Sequence, residues 1–251
     1  MMLLVDAGNT RIKWRVVNKR QRIAAGVTST RDWMRLAADW LTLPISRAVL
    51  SCVADSDIQA GLARILDEKG VSAHWLTAER ENHGVINHYT TPEKLGADRY
   101  AALIAVARMR LGECVLASIG TATTVDRLDR HGAFLGGIIL PGPDLMRSAL
   151  LSGTSRIEPR MQSDSGSRPC SRQLSSPPTD TATAVSAGIA LAQAGAIRAM
   201  RSVAQETPPT LVLTGGARDQ VRWALECEYM EIDDLVLEGL AWVALDLTCA
   251  S

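Results

Sequence analysis

Hydrophobic and polar positions alternate with two different periods along this chain, and each change of period marks a new element. Met2 to Val5 is a short apolar run and Asp6 to Thr10 a polar turn. From Arg11 to Val17 the apolar Ile12, Trp14 and Val16 alternate with charged residues. Period-two alternation on both sides of a Gly–Asn turn predicts a β-hairpin. Between Arg31 and Leu41, Trp33, Leu36, Ala37, Trp40 and Leu41 fall at helical spacing, with Thr30 as N-cap. Arg47–Val53 reads as a buried strand, Ile58–Lys69 as a helix closed by Gly70, and Val71–Thr77 as a further strand. Hairpin, helix, strand, helix, strand is an α/β order.

The second half echoes the first. After a loop over Thr90–Gly96, Asp98 opens a helix to about Arg110, with Ala102, Leu103, Ala105 and Val106 on its apolar face. Cys114–Ile119 is an apolar strand and Gly120–Thr124 a turn. Val125–Leu128 and Ala133–Leu140 form a second hairpin-like pair. Thr181–Val203 is a long alanine-rich helix and Thr210–Leu213 a strand. Ala217–Leu225 and Leu235–Leu247 are the last two helices. Ser163–Thr179, rich in serine, proline and arginine and lacking periodicity, is expected to be a mobile loop or flap. Each half starts with an apolar strand, a Gly/Thr turn and a returning strand, so two related lobes are expected, 1–111 and 112–251.

Composition removes several function classes. Lysine plus arginine and aspartate plus glutamate number 27 each in 251 residues, which leaves no electrostatic footprint for nucleic acid or an anionic membrane. The five cysteines form no CxxC pair and the histidines at 74, 83, 88 and 131 have no ligand spacing, so reduced, structural thiols are expected. The first residues lack the basic and long apolar regions of a signal peptide, and no stretch approaches the roughly 20 apolar residues of a membrane span. A cytoplasmic location is the expectation.

Four motifs could carry chemistry. Asp6-Ala7-Gly8-Asn9-Thr10 can bring backbone N–H groups close to a phosphate, with an acidic residue beside it to hold Mg²⁺ through water. The same pattern also describes an ordinary Asn-containing hairpin turn. Gly120-Thr121-Ala122-Thr123-Thr124-Val125-Asp126 supplies hydroxyl donors at a second turn, or is a plain Thr-rich turn. Leu95-Gly96-Ala97-Asp98-Arg99 sets a carboxylate and a guanidinium at a helix start, which suits a base near an alcohol and a cation near an anion, or a cap with a surface ion pair. Thr214-Gly215-Gly216 lets a flat purine or ribose lie on backbone, or is a plain strand-to-helix turn. Two phosphate-gripping hairpins, one per lobe, outweigh either alone. The chain has no GxxxxGK(S/T) loop, no GxGxxG after a strand and no GxSxG, so P-loop, Rossmann and serine hydrolase readings lose their support.

Taken in order, Asp6–Thr10, Leu95–Arg99, Gly120–Asp126, Gly136-Gly137-Ile138-Ile139-Leu140-Pro141-Gly142 and Thr214–Gly216 resemble the type III pantothenate kinases of the acetate and sugar kinase, Hsc70 and actin superfamily. The resemblance runs from Asp6 to the closing Leu235–Leu240 segment. It implies a two-lobed actin-like, ribonuclease H-like fold with ATP in the cleft between lobes, a homodimer, and phosphorylation of pantothenate in the first step of coenzyme A synthesis. It further implies that Asp6, Ala7, Gly8 and Asn9, with Thr10, Arg11, Ile12 and Lys13, form the first ATP-binding segment, and that Thr121 meets ATP phosphate. Asp6 would place Mg²⁺ and Asp98 would take the hydroxyl proton. Tyr89, Gly96, Ala97, Asp98 and Arg99 would line the pantothenate pocket, with Thr181 joining them.

One position departs from the pattern. The resemblance implies a monovalent cation, NH₄⁺ or K⁺, but members that use one carry Asp-x-Gly-Thr where this chain has Ser118-Ile119-Gly120-Thr121, so the anionic ligand is missing and the cation would bind differently, weakly or not at all. Two other functions stay open on the same fold: a regulatory accessory protein, and another small-molecule kinase of the superfamily.

Overall fold

The structure is a computed structural model that describes residues 1–19, 21–154, 174, 176–203 and 208–249. Its strands in chain order begin with β1 (Met2–Ala7), β2 (Arg11–Asn18) and β3 (Gln21–Ser29). A 3₁₀ segment, Thr30–Arg35, leads into α1 (Leu36–Leu41), followed by β4 (Arg47–Cys52), α2 (Ser56–Glu68), β5 (Ser72–Trp75), β6 (Glu81–Asn82), β7 (Val85–Asn87) and α3 (Ala97–Met109). Then come β8 (Cys114–Ile119), β9 (Ala122–Leu128), β10 (Ala133–Pro141), α4 (Pro143–Gly153), α5 (Thr181–Ser202), β11 (Thr210–Thr214), β12 (Met230–Glu231) and α6 (Leu235–Cys249).

These elements gather into two compact units. The first holds 1–111, 131–135 and 234–251; the second holds 112–130 and 136–233. Beside the expected lobes, 1–111 and 112–251, two stretches of the second lobe, 131–135 and 234–251, group with the first unit, and the later one carries α6. The reason is packing. Leu235, Leu240 and Val243 of α6 are buried, and Gly239 lies so close to α3 that a Cβ there would fall 1.8 Å from the Ala101 carbonyl oxygen. The helix is also fastened by Arg15 to Glu238 at 2.5 Å, and by His83 Nδ1 and Arg108 Nη2 to Asp246 Oδ2 at 2.7 and 2.6 Å.

In the first unit the strand order is β3-β2-β1-β4-β5. β1 is antiparallel to β2 and parallel to β4, and being central it is apolar on both faces, with Leu3, Leu4 and Val5 fully buried. β2 alternates as expected: Ile12, Trp14 and Val16 face the core and Arg11, Lys13 and Arg15 do not. In the second unit the order is β12-β11-β8-β9-β10. β8 is antiparallel to β9 and parallel to β11, and β11 is parallel to β12, as β4 is to β5. The two units therefore share a strand plan, which is the structural form of the echo in the sequence.

Three expected elements differ. The helix over Arg31–Leu41 is a 3₁₀ segment followed by one short α-helix, and its cap is Ser29, whose side chain accepts from the Arg31 N–H. Thr30 is occupied elsewhere: its hydroxyl donates to the Asn9 carbonyl at 3.0 Å and its N–H to the Thr10 carbonyl at 3.1 Å. The turn over Gly120–Thr124 is shorter, because Thr123 and Thr124 pair with Ile119 and Ser118 inside β9. Ala217–Leu225 forms two 3₁₀ turns, Arg218–Gln220 and Arg222–Ala224, tied by the Ala217 N–H to the Ile119 carbonyl and by Arg218 to Asp233. The expected flap over Ser163–Thr179 lies almost wholly outside the described residues.

The four described cysteines are free, and burial pushes the Cys114 thiol up to about 12, which leaves it inert. Among the described residues no helix is long and apolar enough to cross a membrane.

Candidate active site

Asp6 follows the buried run Leu3–Val5 of β1, and after buried Ala7 the chain turns into β2. Ala7 pairs with Ile12 across the hairpin, and the Gly8 N–H bonds the Arg11 carbonyl at 3.1 Å. Within the expected ATP segment the roles divide by burial. The Ala7 and Ile12 side chains belong to the core and can offer a ligand only backbone, whereas Asn9, Thr10 and Arg11 are exposed. Lys13 reaches Asp234 with its ammonium at 2.7 Å. Thr30 grips the carbonyls of Asn9 and Thr10, a holding role that its reading as a helix cap concealed.

The second carboxylate stands at the start of α3. Gly96 is the N-cap and Asp98 sits in the first turn. A Cβ on Gly96 would lie 2.7 Å from Asp98 Oδ1, so glycine leaves the room in which this carboxylate stands, and Oδ1 accepts from the Arg99 N–H at 2.7 Å. Asp6 and Asp98 share one electrostatic environment. Burial first, then repulsion from Asp98, and also Asp234, raises the Asp6 pKa to about 7, against a smaller lowering by Lys13. No side-chain hydrogen bond from the described residues relieves Asp6, and among those residues no group of three potential ligands could hold a metal ion. This chemistry fits Mg²⁺, which keeps most of its waters and takes one or two carboxylates together with substrate phosphates.

Beside Asp98, Arg99 is nearly buried. Its Nη1 donates to the Tyr89 hydroxyl at 2.8 Å, and its guanidinium lies 5.5 and 5.7 Å from the Tyr89 and Phe134 ring centroids. Buried Asn87 shapes the loop before it, donating to the Pro92 carbonyl and accepting from the Tyr89 N–H at 3.0 Å. The structure thus brings Tyr89, Arg99, Asp98 and Asp6 into one unit. Asn87, Thr30 and Asp234 are additions that sequence reading missed. Asn87 and Thr30 act on backbone groups and leave no side-chain pattern, and Asp234 gains meaning only through Lys13.

Thr121 and Thr181 belong to the second unit. Thr121 is exposed at the β8–β9 turn, where the Gly120 N–H bonds the Ala122 carbonyl at 3.0 Å. Two glycines approach this turn. A Cβ on Gly215, at φ +95°, would fall 2.2 Å from the Ile119 carbonyl oxygen, and one on Gly142 would fall 2.0 Å from that of Gly120. Thr181 starts α5 one residue after its N-cap Asp180, which accepts from the Thr183 N–H at 2.8 Å.

Residues 2–203 match the sequence pattern of the type III pantothenate kinases. The chain belongs to the type III pantothenate kinase family. A type III pantothenate kinase of Azoarcus sp. (strain BH72) is 41% identical over 248 residues, which span 97% of this chain and 90% of that one. A crystal structure described as a Baf family transcriptional activator from Campylobacter jejuni superposes with a TM-score of 0.61 at 19% identity, covering 98% of this chain and 99% of the other. A 2-dehydro-3-deoxygalactonokinase protein from Sinorhizobium meliloti gives 0.59 at 14%, with 98% and 99% coverage. The fold is therefore the α/β, two-lobed actin-like one that the sequence led us to expect, and a kinase of this family acts with ATP and a divalent metal.

The raised Asp6 pKa sets a pH signature. The folded chain holds a proton on Asp6 up to about pH 7, whereas the unfolded chain loses it near 3.8. Stability of the protein without Mg²⁺ or nucleotide therefore falls as pH rises from about 4 to about 7. Thermal melts across that range are expected to show Asp6→Asn gaining on the wild type as pH increases. A constant difference between the two would refute the shift.

Proposed function

We propose that this chain transfers the γ-phosphoryl group of ATP to the hydroxyl of pantothenate, the first step of coenzyme A synthesis, with Asp98 as general base. The observation that carries the assignment of Asp98 is its carboxylate in the space left by Gly96, close enough to Asp6 to raise that residue's pKa. Mg²⁺·ATP, when bound, supplies the phosphoryl group and offsets the charge that builds on it. Asp6 would hold the metal through water, and the cation would favour the ionised carboxylate that burial and Asp98 oppose. The Gly8–Thr10 turn and Thr121 receive phosphate oxygens on backbone N–H and hydroxyl groups. Tyr89, Gly96, Ala97 and Arg99 seat pantothenate, Arg99 meeting its carboxylate and Tyr89 fixing the guanidinium. Thr181 contributes from the start of α5. Asp98 would then accept the hydroxyl proton as the bond from that oxygen to the γ-phosphorus forms and the bond from phosphorus to the β-phosphate oxygen breaks, releasing ADP.

Removing that base should lower turnover by at least about 10²-fold. Asp98→Asn in a coupled assay with ATP, Mg²⁺ and pantothenate measures it, and turnover within a few-fold of wild type would rule out the role.

The active form is proposed to be a cytoplasmic homodimer. Support comes from exposed apolar side chains in the second unit: Ile138 and Ile139 on β10, Leu145 and Leu150 on α4, and Leu191 on α5. Sedimentation is expected to find a dimer for the wild type and a shift to monomer for the double variant Ile139→Asp with Leu145→Asp. A monomeric wild type contradicts the proposal.

Dependence on a monovalent cation is proposed to be weak. Ser118 lies within β8, paired with Thr124 of β9 and Thr214 of β11, and brings a neutral hydroxyl where a cation ligand needs charge. Exchanging K⁺ or NH₄⁺ for Na⁺ in the assay should leave turnover nearly unchanged. A large loss would mean that other residues supply the site.

A further inference from the structure

Gln193 stands on α5 between alanines and is fully buried. Its Nε2 donates to the Pro141 carbonyl at 2.8 Å and reaches Met146 Sδ at 3.1 Å. Both are acceptors, so the orientation of the amide is fixed. The other end is left over: among the described residues Oε1 has no hydrogen-bond partner. A buried acceptor without a partner costs stability, and a leucine of similar volume would fill the space without that cost. Packing alone therefore does not account for glutamine here. The donor bond to Pro141 does.

Pro141 ends β10, and the next residue, Gly142, caps α4. The Gly142 N–H donates to the Thr121 carbonyl at 2.9 Å, and a Cβ on Gly142 would fall 2.0 Å from the Gly120 carbonyl oxygen and 2.6 Å from that of Thr121. The segment anchored by Gln193 is therefore the one pressed against the Gly120–Thr121 turn. Two contacts in series, side chain to Pro141 and backbone to Thr121, connect the buried face of α5 to that turn.

We propose that Gln193 is a positioning residue for ATP: by holding the Pro141 carbonyl it seats Gly142 on Thr121 and fixes the Gly120–Thr121 turn in the geometry that receives nucleotide phosphate. This rests on the proposed phosphate contact of Thr121. The residue touches neither substrate, so its loss weakens nucleotide binding and leaves pantothenate binding nearly as it was.

The test compares full-length wild type, Gln193→Leu, Gln193→Glu and Thr121→Ala by thermal melt and by KM for each substrate. Gln193→Leu is expected to melt at or above the wild-type temperature. Its KM for ATP should rise about 3–10-fold, the scale of one hydrogen bond, with KM for pantothenate little changed. Gln193→Glu adds a readout that packing cannot mimic. A protonated carboxyl can donate to Pro141 and an ionised one cannot, so its KM for ATP relative to wild type should fall as pH is lowered. An unchanged KM for ATP in folded Gln193→Leu overturns the proposal, as does an equal rise in both KM values with a lower melting temperature. If Gln193→Leu does not fold, a pH-independent KM ratio for Gln193→Glu overturns it. Thr121→Ala separates the two layers. Unchanged ATP binding there removes the phosphate reading and the proposal with it, whereas weakened binding there beside normal Gln193→Leu removes the proposal alone.

Discussion

The penalty on charge at Asp6, set first by burial and then by Asp98, is the constraint that the site of the first unit depends on. Burial already disfavours charge on Asp6, and Asp98 adds to the penalty. Stability alone gives no reason to keep two carboxylates so placed; the proposed cation at Asp6 and proton acceptor at Asp98 would. The surrounding elements hold this arrangement rather than relieve it. β1 delivers Asp6 at the end of a buried central strand, Gly96 clears the space for Asp98, and the partner that could have neutralised Asp6, Lys13, is drawn to Asp234.

The second unit meets a different constraint, close approach of backbone to backbone. Gly142 and Gly215 leave no space for a side chain beside the Ile119–Thr121 turn. A turn braced this closely presents its N–H and hydroxyl groups in one geometry, and preorganisation of this kind is what phosphoryl transfer draws on. The first hairpin is braced by other means, with Thr30 bonded to the carbonyls of Asn9 and Thr10. The two units share a strand plan and brace their first turns with different residues.

Much of this was legible in the sequence because period and punctuation are local. The β1–β2 hairpin showed in the alternation of Ile12, Trp14 and Val16, and α3, α5 and α6 showed in their apolar spacing. What stayed hidden depends on contacts distant in the chain. β3 is an edge strand in which exposed and half-buried positions alternate from Ile23 onward, but its Ile23-Ala24-Ala25-Gly26-Val27 run does not alternate apolar with polar residues. Ala217–Leu225 has helical spacing, yet its bonds to Ile119 and Asp233 hold it in 3₁₀ turns. A helix as uniformly apolar as α6 does not say which sheet it will cover. Among the site residues, Asp98 and Arg99 were visible as a motif, but nothing local placed Asp98 near Asp6, or Gln193 behind the Gly120–Thr121 turn.

The most direct test of the central claim is a crystal structure with pantothenate, Mg²⁺ and a non-hydrolysable ATP analogue. The account predicts the pantothenate hydroxyl about 2.6–3.2 Å from an Asp98 carboxylate oxygen, in line with the γ-phosphorus. A hydroxyl pointing away from Asp98, with another residue in hydrogen-bond reach of it, would contradict the account.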